Sequence, residues 1–241
     1  MHRTIVLSAT YRQSARAARE LYERDPFNRL YARGPRVRLD AEMVRDNALA
    51  ISGLLERKLG GPSVFPYQPE GVWNNPYSND HWVTSDNGDQ YRRGLYTFWR
   101  RTAPYAAFMA FDAPSREFCT ERRPRTNTPL QALATLNDRA FVDCAAALAR
   151  RMAAVAGSPE QRAVHGFRLC LARQPTPGEL DQLLSLYRDS LGKYRREPAA
   201  AAALVRPASL PVRENADPAE LAAWTVVANI LLNLDETVTR G

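Results

Sequence analysis

The stretch Thr176-Pro177-Gly178-Glu179-Leu180-Asp181-Gln182-Leu183-Leu184-Ser185-Leu186-Tyr187-Arg188-Asp189-Ser190-Leu191-Gly192-Lys193-Tyr194 decides the fold class. It opens with a capping hydroxyl, places proline where a helix needs no N–H, and sets Glu179 at the third helical position, within reach of the cap. Leu180, Leu183, Leu184, Tyr187, Leu191 and Tyr194 then recur at three- and four-residue spacing, so they line one face of a helix and belong in a core. The same grammar returns in Thr128-Pro129-Leu130-Gln131, Ser158-Pro159-Glu160-Gln161 and Asp217-Pro218-Ala219-Glu220. Four such starts predict a helical bundle for the C-terminal half.

Upstream, the apolar stripe of Leu39, Met43, Val44, Ala50, Ile51, Leu54 and Leu55 predicts a helix over 39–59. Asp40 and Glu42 sit at its positive end, Arg57 and Lys58 at its negative end, and Gly60-Gly61-Pro62 supplies a stop. From Pro62 to about Phe118 the texture changes: Pro, Asn, Gly and Asp are scattered through 68–90 with no helical period. Within this insertion Leu95, Tyr96, Thr97, Phe98 and Trp99 are clustered strand formers, so 93–100 reads as a strand that Phe108 to Phe111 could pair with. The expectation is a mainly α fold, a helical bundle with a long loop-rich insertion containing a small β-hairpin. Read as one domain over 1–241, it divides into 1–61 helical, 62–118 loop and strand insertion, 119–196 helical, an Ala- and Pro-rich linker over 197–216, and a terminal helix over 217–241.

Composition excludes several classes. Residues 221–234 form the most apolar run, too short for the roughly 20 residues that a membrane helix needs, so no membrane span is expected. The formal charge of +7 invites an anionic partner, but only Lys58 and Lys193 appear among 33 basic residues, and codon bias explains that arginine preference equally well. Cys119, Cys144 and Cys170 show no C-x-x-C and no histidine at ligand spacing, so neither zinc nor covalent haem is supported in this chain. Cys144 and Cys170 fall within apolar helical patterns and read as small buried thiols. Asp86-Asn87-Gly88-Asp89 has calcium-loop residue types without the ligand spacing, and reads as a solvated turn.

The unusual stretch runs from Phe111 to Leu133. It gathers Arg116, Arg122, Arg123 and Arg125 with Asp112, Glu117, Glu121 and Cys119, just ahead of the helix start at Thr128. Two readings stand. Arg122, Arg123 and Arg125, with Thr126, Asn127 and Thr128 at a helix N-terminus, form an anion site. Alternatively Thr128 and Gln131 close a capping box, and the three acids pair with the arginines to clasp a loop. Arg92, Arg93 and Trp99 are further ligand-binding candidates, and with Arg100 and Arg101 would suit a single-stranded nucleic acid. Asp112, Glu117 and Glu121 are the weak catalytic candidates, as acid or base of a hydrolase acting on anionic polysaccharide.

The runs Arg3 to Ser14, Tyr91 to Thr102, and Asp112 to Leu133 with Leu136-Asn137-Asp138 resemble the planctomycete cytochrome-c-associated C-terminal domain of unknown function. The resemblance covers nearly the whole chain. It implies a piece of a large exported bacterial protein, periplasmic or extracytoplasmic, in which upstream domains or a cytochrome-like partner are the neighbours. Any haem then belongs upstream, and the exported location argues against nucleic acid. The stretch from Ala223 to Thr237 resembles the family's natural end. Ile5, Val6 and Leu7 begin an apolar pattern with no capping residue ahead of them, so the start is expected to be the middle of an element. The family carries no established activity, which leaves a non-catalytic docking or ligand-recognition module as the first expectation.

Overall fold

The computed structural model describes residues 1–73, 81–205 and 217–240. Among them eleven α-helices run in the order α1 (His2–Leu7), α2 (Arg19–Arg24), α3 (Ala41–Ser52), α4 (Ala106–Ala110), α5 (Pro129–Asn137), α6 (Arg139–Ala153), α7 (Pro159–Leu171), α8 (Pro177–Arg196), α9 (Pro198–Val205), α10 (Pro218–Asn233) and α11 (Asp235–Val238). The mainly helical expectation holds. The chain divides into two compact units, Met1–Leu39 with the segment from Asp235, and Asp40–Leu234. In the smaller one, β1 (Val37–Arg38) pairs antiparallel with β2 (Thr239–Arg240), Val37 facing Arg240 and Arg38 facing Thr239.

The larger unit is built around α10. Trp224, Val227, Ala228 and Leu231 are wholly buried, as are Ala222 and Ala223, so this helix is covered on nearly every side. It packs against α5, α6, α7, α8 and α9. Helix α6 answers with Ala145, Ala147, Leu148 and Ala149, also wholly buried; the small side chains let backbones approach closely. From α8, Tyr187 stacks on Trp224 with centroids 4.1 Å apart.

All four proline-led starts open helices. Ser158 and Thr176 form full capping boxes with Gln161 and Glu179. The boxes expected at the other two are only half made. Thr128 accepts the N–H of Gln131, but the Gln131 amide turns away to Asp112 and Thr126. Asp217 accepts the N–H of Ala219, while Glu220 pairs with Arg162.

Three expectations about elements need correction. The helix expected over 39–59 is α3, which stops at Ser52 because Gly53 takes the left-handed conformation, φ 84. Leu54 stays buried beyond it in non-helical chain, and Leu59 lies on the surface, 81% exposed. The hairpin expected between Arg93 and Phe111 is absent: Gly94–Tyr96 is a 3-10 turn, Phe108 lies in α4, and Val64 makes only a one-residue bridge to Thr97. Pro62 and Pro66 flank Val64 and lack the N–H groups that a longer ladder would need. The linker expected over 197–216 begins with α9; its residues 206–216 lie outside the described residues, as do 74–80 of the insertion.

The rest of the insertion is held by aromatic packing rather than by ladders. Phe65 contacts Trp82 and Phe98, and Trp82 stacks on Tyr105. The indole N–H groups of Trp73 and Trp82 donate to the carbonyls of Ala103 and Pro66 at 2.8 and 2.7 Å. Asp86-Asn87-Gly88 leads into a 3-10 turn, Asp89–Tyr91, with Asn87 and Gly88 both at positive φ.

Candidate functional site

Glu42 and Asp46 are four residues apart on α3 and therefore share a face. That face meets the chain closely at Gly94: a Cβ there would lie 3.0 Å from the Glu42 Cβ and 3.1 Å from the Phe108 Cζ, so a side chain would fit only if its neighbours gave by a few tenths of an ångström. The Gly94 N–H donates to Asp46 Oδ1 at 2.6 Å, and the Arg93 Nε lies 3.4 Å from Asp46 Oδ2. The result is a cleft of about 470 Å³ lined by Glu42, Met43, Asp46, Arg93, Trp99 and Arg116, among others. Leu95, 73% exposed, and Met43, 51% exposed, supply its apolar rim.

The arginines around this cleft differ in what they already hold. Arg123 grips Glu42 with two N–H···O bonds, 2.6 and 3.1 Å, the planar fork on the carboxylate. Burial alone would raise the Glu42 pKa, but the hydrogen bonds and charge of Arg123, helped by Arg116, hold it below the ordinary carboxylate value. Arg123 itself is pushed up by the same bonds. Arg93 is tethered through Nε, and its terminal nitrogens make no hydrogen bond among the described residues. Arg116 stands at a positive φ of 66 with its guanidinium 4.5 Å over the ring of Trp99. It makes no ion pair or hydrogen bond through its side chain among the described residues.

Of the expected site residues, Arg93, Trp99 and Arg123 come to or beside this cleft. Arg92 does not: it is wholly buried, donates to the carbonyls of Lys58, Gly60 and Pro62, and lies 3.9 Å over the ring of Tyr96. Thr126 donates twice to Asp112, through N–H and Oγ1 at 2.8 and 2.7 Å. Thr128 is the cap of α5, and Asn127 and Arg122 are exposed. Arg125 is 3.9 Å from Asp40, a distant pair.

Asp112 accepts from Thr126 and Gln131 and ties the loop to the start of α5. Glu117 and Glu121 are exposed. The three acids therefore do not clasp the arginines; the partners are Glu42 and Asp40, some 80 residues earlier in the chain. Sequence reasoning missed Glu42, Asp46 and Gly94. The usable signals were the four-residue spacing of the two acids and a lone glycine within a run of strand formers.

Away from the cleft, Tyr91 and Asp143 form a buried pair. The Tyr91 hydroxyl donates to Asp143 at 3.1 Å; burial pushes the Asp143 carboxyl up to about 6 and the tyrosine to about 12. Cys144 is buried as expected, its thiol pushed up to about 12. Cys170 is half-buried and shifted likewise, while Cys119 is exposed. Among the described residues no three His, Cys, Asp or Glu side chains gather as metal ligands, and no helix is long and apolar enough to cross a membrane.

Fold and cleft together define a mainly helical domain that presents a polar, arginine-bearing groove. Residues 1–187 match the family model described as Protein of unknown function (DUF1553), PSD1, and the chain belongs to that family. No curated protein and no solved structure matches it.

Proposed function

We propose that the chain is a non-catalytic recognition module whose α3 cleft holds a carboxylate flanked by an apolar group. The observation that carries this is Arg116: its guanidinium lies over Trp99 and makes no ion pair among the described residues, while its neighbour Arg123 holds Glu42 through both terminal nitrogens. A planar guanidinium stacked on an indole keeps its N–H edges free for two-pronged carboxylate binding. The terminal nitrogens of Arg93 add a second donor group, and Leu95 and Met43 offer apolar surface beside it. Non-catalysis is supported by Asp112, whose Oδ2 accepts from Thr126 and Gln131 and so ties the loop to α5. The wider setting, an exported planctomycete protein with cytochrome-c-like neighbours as partners, rests on the sequence resemblance alone.

Isothermal titration with hexanoate tests the reading, with 1-hexanol as the uncharged control. Hexanoate should bind the wild type, and Arg116→Ala should weaken it at least fivefold. Arg116→Lys should fail to restore it, because an ammonium cannot form the planar fork. Equal heats from all three proteins would refute the assignment.

A further inference from the structure

The smaller unit buries almost nothing apolar. Among its described residues only Asp25, Arg33, Gly34, Thr237 and Val238 are buried, yet it carries ten of the twenty large apolar side chains that the described chain exposes. Its loop 25–33 shows how this is arranged. Asp25 accepts the N–H groups of Arg29 and Leu30, each at 2.8 Å. The buried Arg33 donates back to the carbonyls of Asp25 and Pro26 at 2.8 and 2.9 Å and lies 4.4 Å over the ring of Tyr22. Asn28 closes the loop through its amide, which bonds the Arg33 carbonyl at 2.7 Å. Asn28 and Tyr31 take positive φ, 51 and 53, a conformation that L residues rarely adopt. These polar pins hold Phe27, Leu30 and Tyr31 outward, 79, 81 and 71% exposed.

Charge gathers on the same unit. Residues 1–39 with 235–240 hold ten arginines against five carboxylates, so five of the chain's seven net positive charges lie here. Arg24 and Arg29, which bracket Phe27, make no ion pair among the described residues.

We infer that the loop 25–33 is a preformed docking knob, inserting Phe27, Leu30 and Tyr31 into an apolar pocket with an acidic rim on a partner protein. A knob fixed before binding loses little conformational freedom on docking, and clustered aromatic anchors dominate interface energies. A second copy is a poor occupant, since two surfaces each carrying about five net positive charges repel. A bilayer is a poorer match than a shaped pocket, because a fluid surface gains nothing from two residues held at positive φ. This inference is independent of the α3 cleft.

Calmodulin supplies a testable surface of this chemistry: acidic in both states, it opens a Met-rich apolar groove only with calcium. The chain should bind calcium-loaded calmodulin and not the calcium-free form. Phe27→Ser with Leu30→Ser, and separately Arg24→Glu with Arg29→Glu, should each weaken binding at least tenfold. All four positions are exposed, so unchanged melting curves should accompany the loss. Absence of binding to the calcium-loaded form, equal binding to both forms, or insensitivity to the substitutions would overturn the proposal. So would binding to phosphatidylglycerol vesicles that the same substitutions abolish, or a dimer dissolved by Phe27→Ser.

Discussion

Replacing Arg123 by alanine removes both bonds to Glu42 and leaves that carboxylate facing the cleft without its partner. The pair is neither surface nor core: the Arg123 and Glu42 side chains are 31 and 22% exposed. Exposed pairs contribute about 0–1 kcal/mol, and breaking a buried one costs roughly 3–5. An intermediate loss of about 1–2 kcal/mol is therefore expected, or roughly 2–8 °C in melting temperature for a unit of this size. The sign of the pH dependence follows from Glu42, whose folded pKa lies below its unfolded value. Its stabilisation is present above the unfolded pKa of about 4.3 and fades as pH falls through the folded one. Scanning calorimetry of wild type and Arg123→Ala should thus show a gap at pH 7 that closes toward pH 3. Glu42→Gln should reproduce most of the loss, and the double variant should fall well short of the sum. Equal melting at pH 7 with hexanoate binding abolished would show that Arg123 serves the ligand and not the fold.

Three further outcomes are expected. Asp143→Asn keeps an acceptor for the Tyr91 hydroxyl and removes the ionisable group, whose raised pKa of about 6 means that the folded wild type loses stability as pH rises from about 4 to 6. The variant should therefore gain about 1–3 kcal/mol in urea unfolding at pH 8 and nothing at pH 4; a variant less stable at pH 8 would contradict this. Gly94→Ala should cost about 1–3 kcal/mol in thermal melting by forcing α3 away from the chain, and an unchanged melt would mean that the close approach is relieved cheaply. Iodoacetamide at pH 8 should label Cys119 within minutes and spare Cys144 and Cys170 in the folded protein, as read by mass spectrometry.

What was legible in the sequence is what local chemistry controls. A hydroxyl, a proline and a Glu or Gln within four residues act on backbone groups in the same turn, and all four of those starts are helices. The end of α3 was misread because Leu54 and Leu55 continue its apolar stripe, yet they follow Gly53. Leu54 is buried and Leu55 half-buried in chain that leaves the helix, where the Glu56 N–H bonds the Tyr91 carbonyl at 3.1 Å. Leu95 to Trp99 have strand propensity, but a strand needs a neighbour, and Val64 between two prolines offers one residue of it. The cleft was legible only in part. Arg93, Trp99 and Arg123 could be singled out by type and clustering, while the acid that decides their roles, Glu42, is 81 residues from Arg123, and its spacing to Asp46 marks a shared helix face without pointing to that arginine.

On the proposed function, Arg116 and Trp99 together receive a carboxylate. The most direct test is a 15N-NMR titration of the wild type with hexanoate, following the indole N–H signals. The Trp99 indole donates to the Ser115 carbonyl at 3.3 Å beside the cleft, whereas Trp224 is wholly buried against Tyr187 and serves as internal control. A saturable shift of the Trp99 signal and of the Arg116 Nε–H is expected, absent with 1-hexanol, with Trp224 unmoved. A Trp99 signal that stays fixed at millimolar hexanoate, or one that moves no more than Trp224, would contradict it.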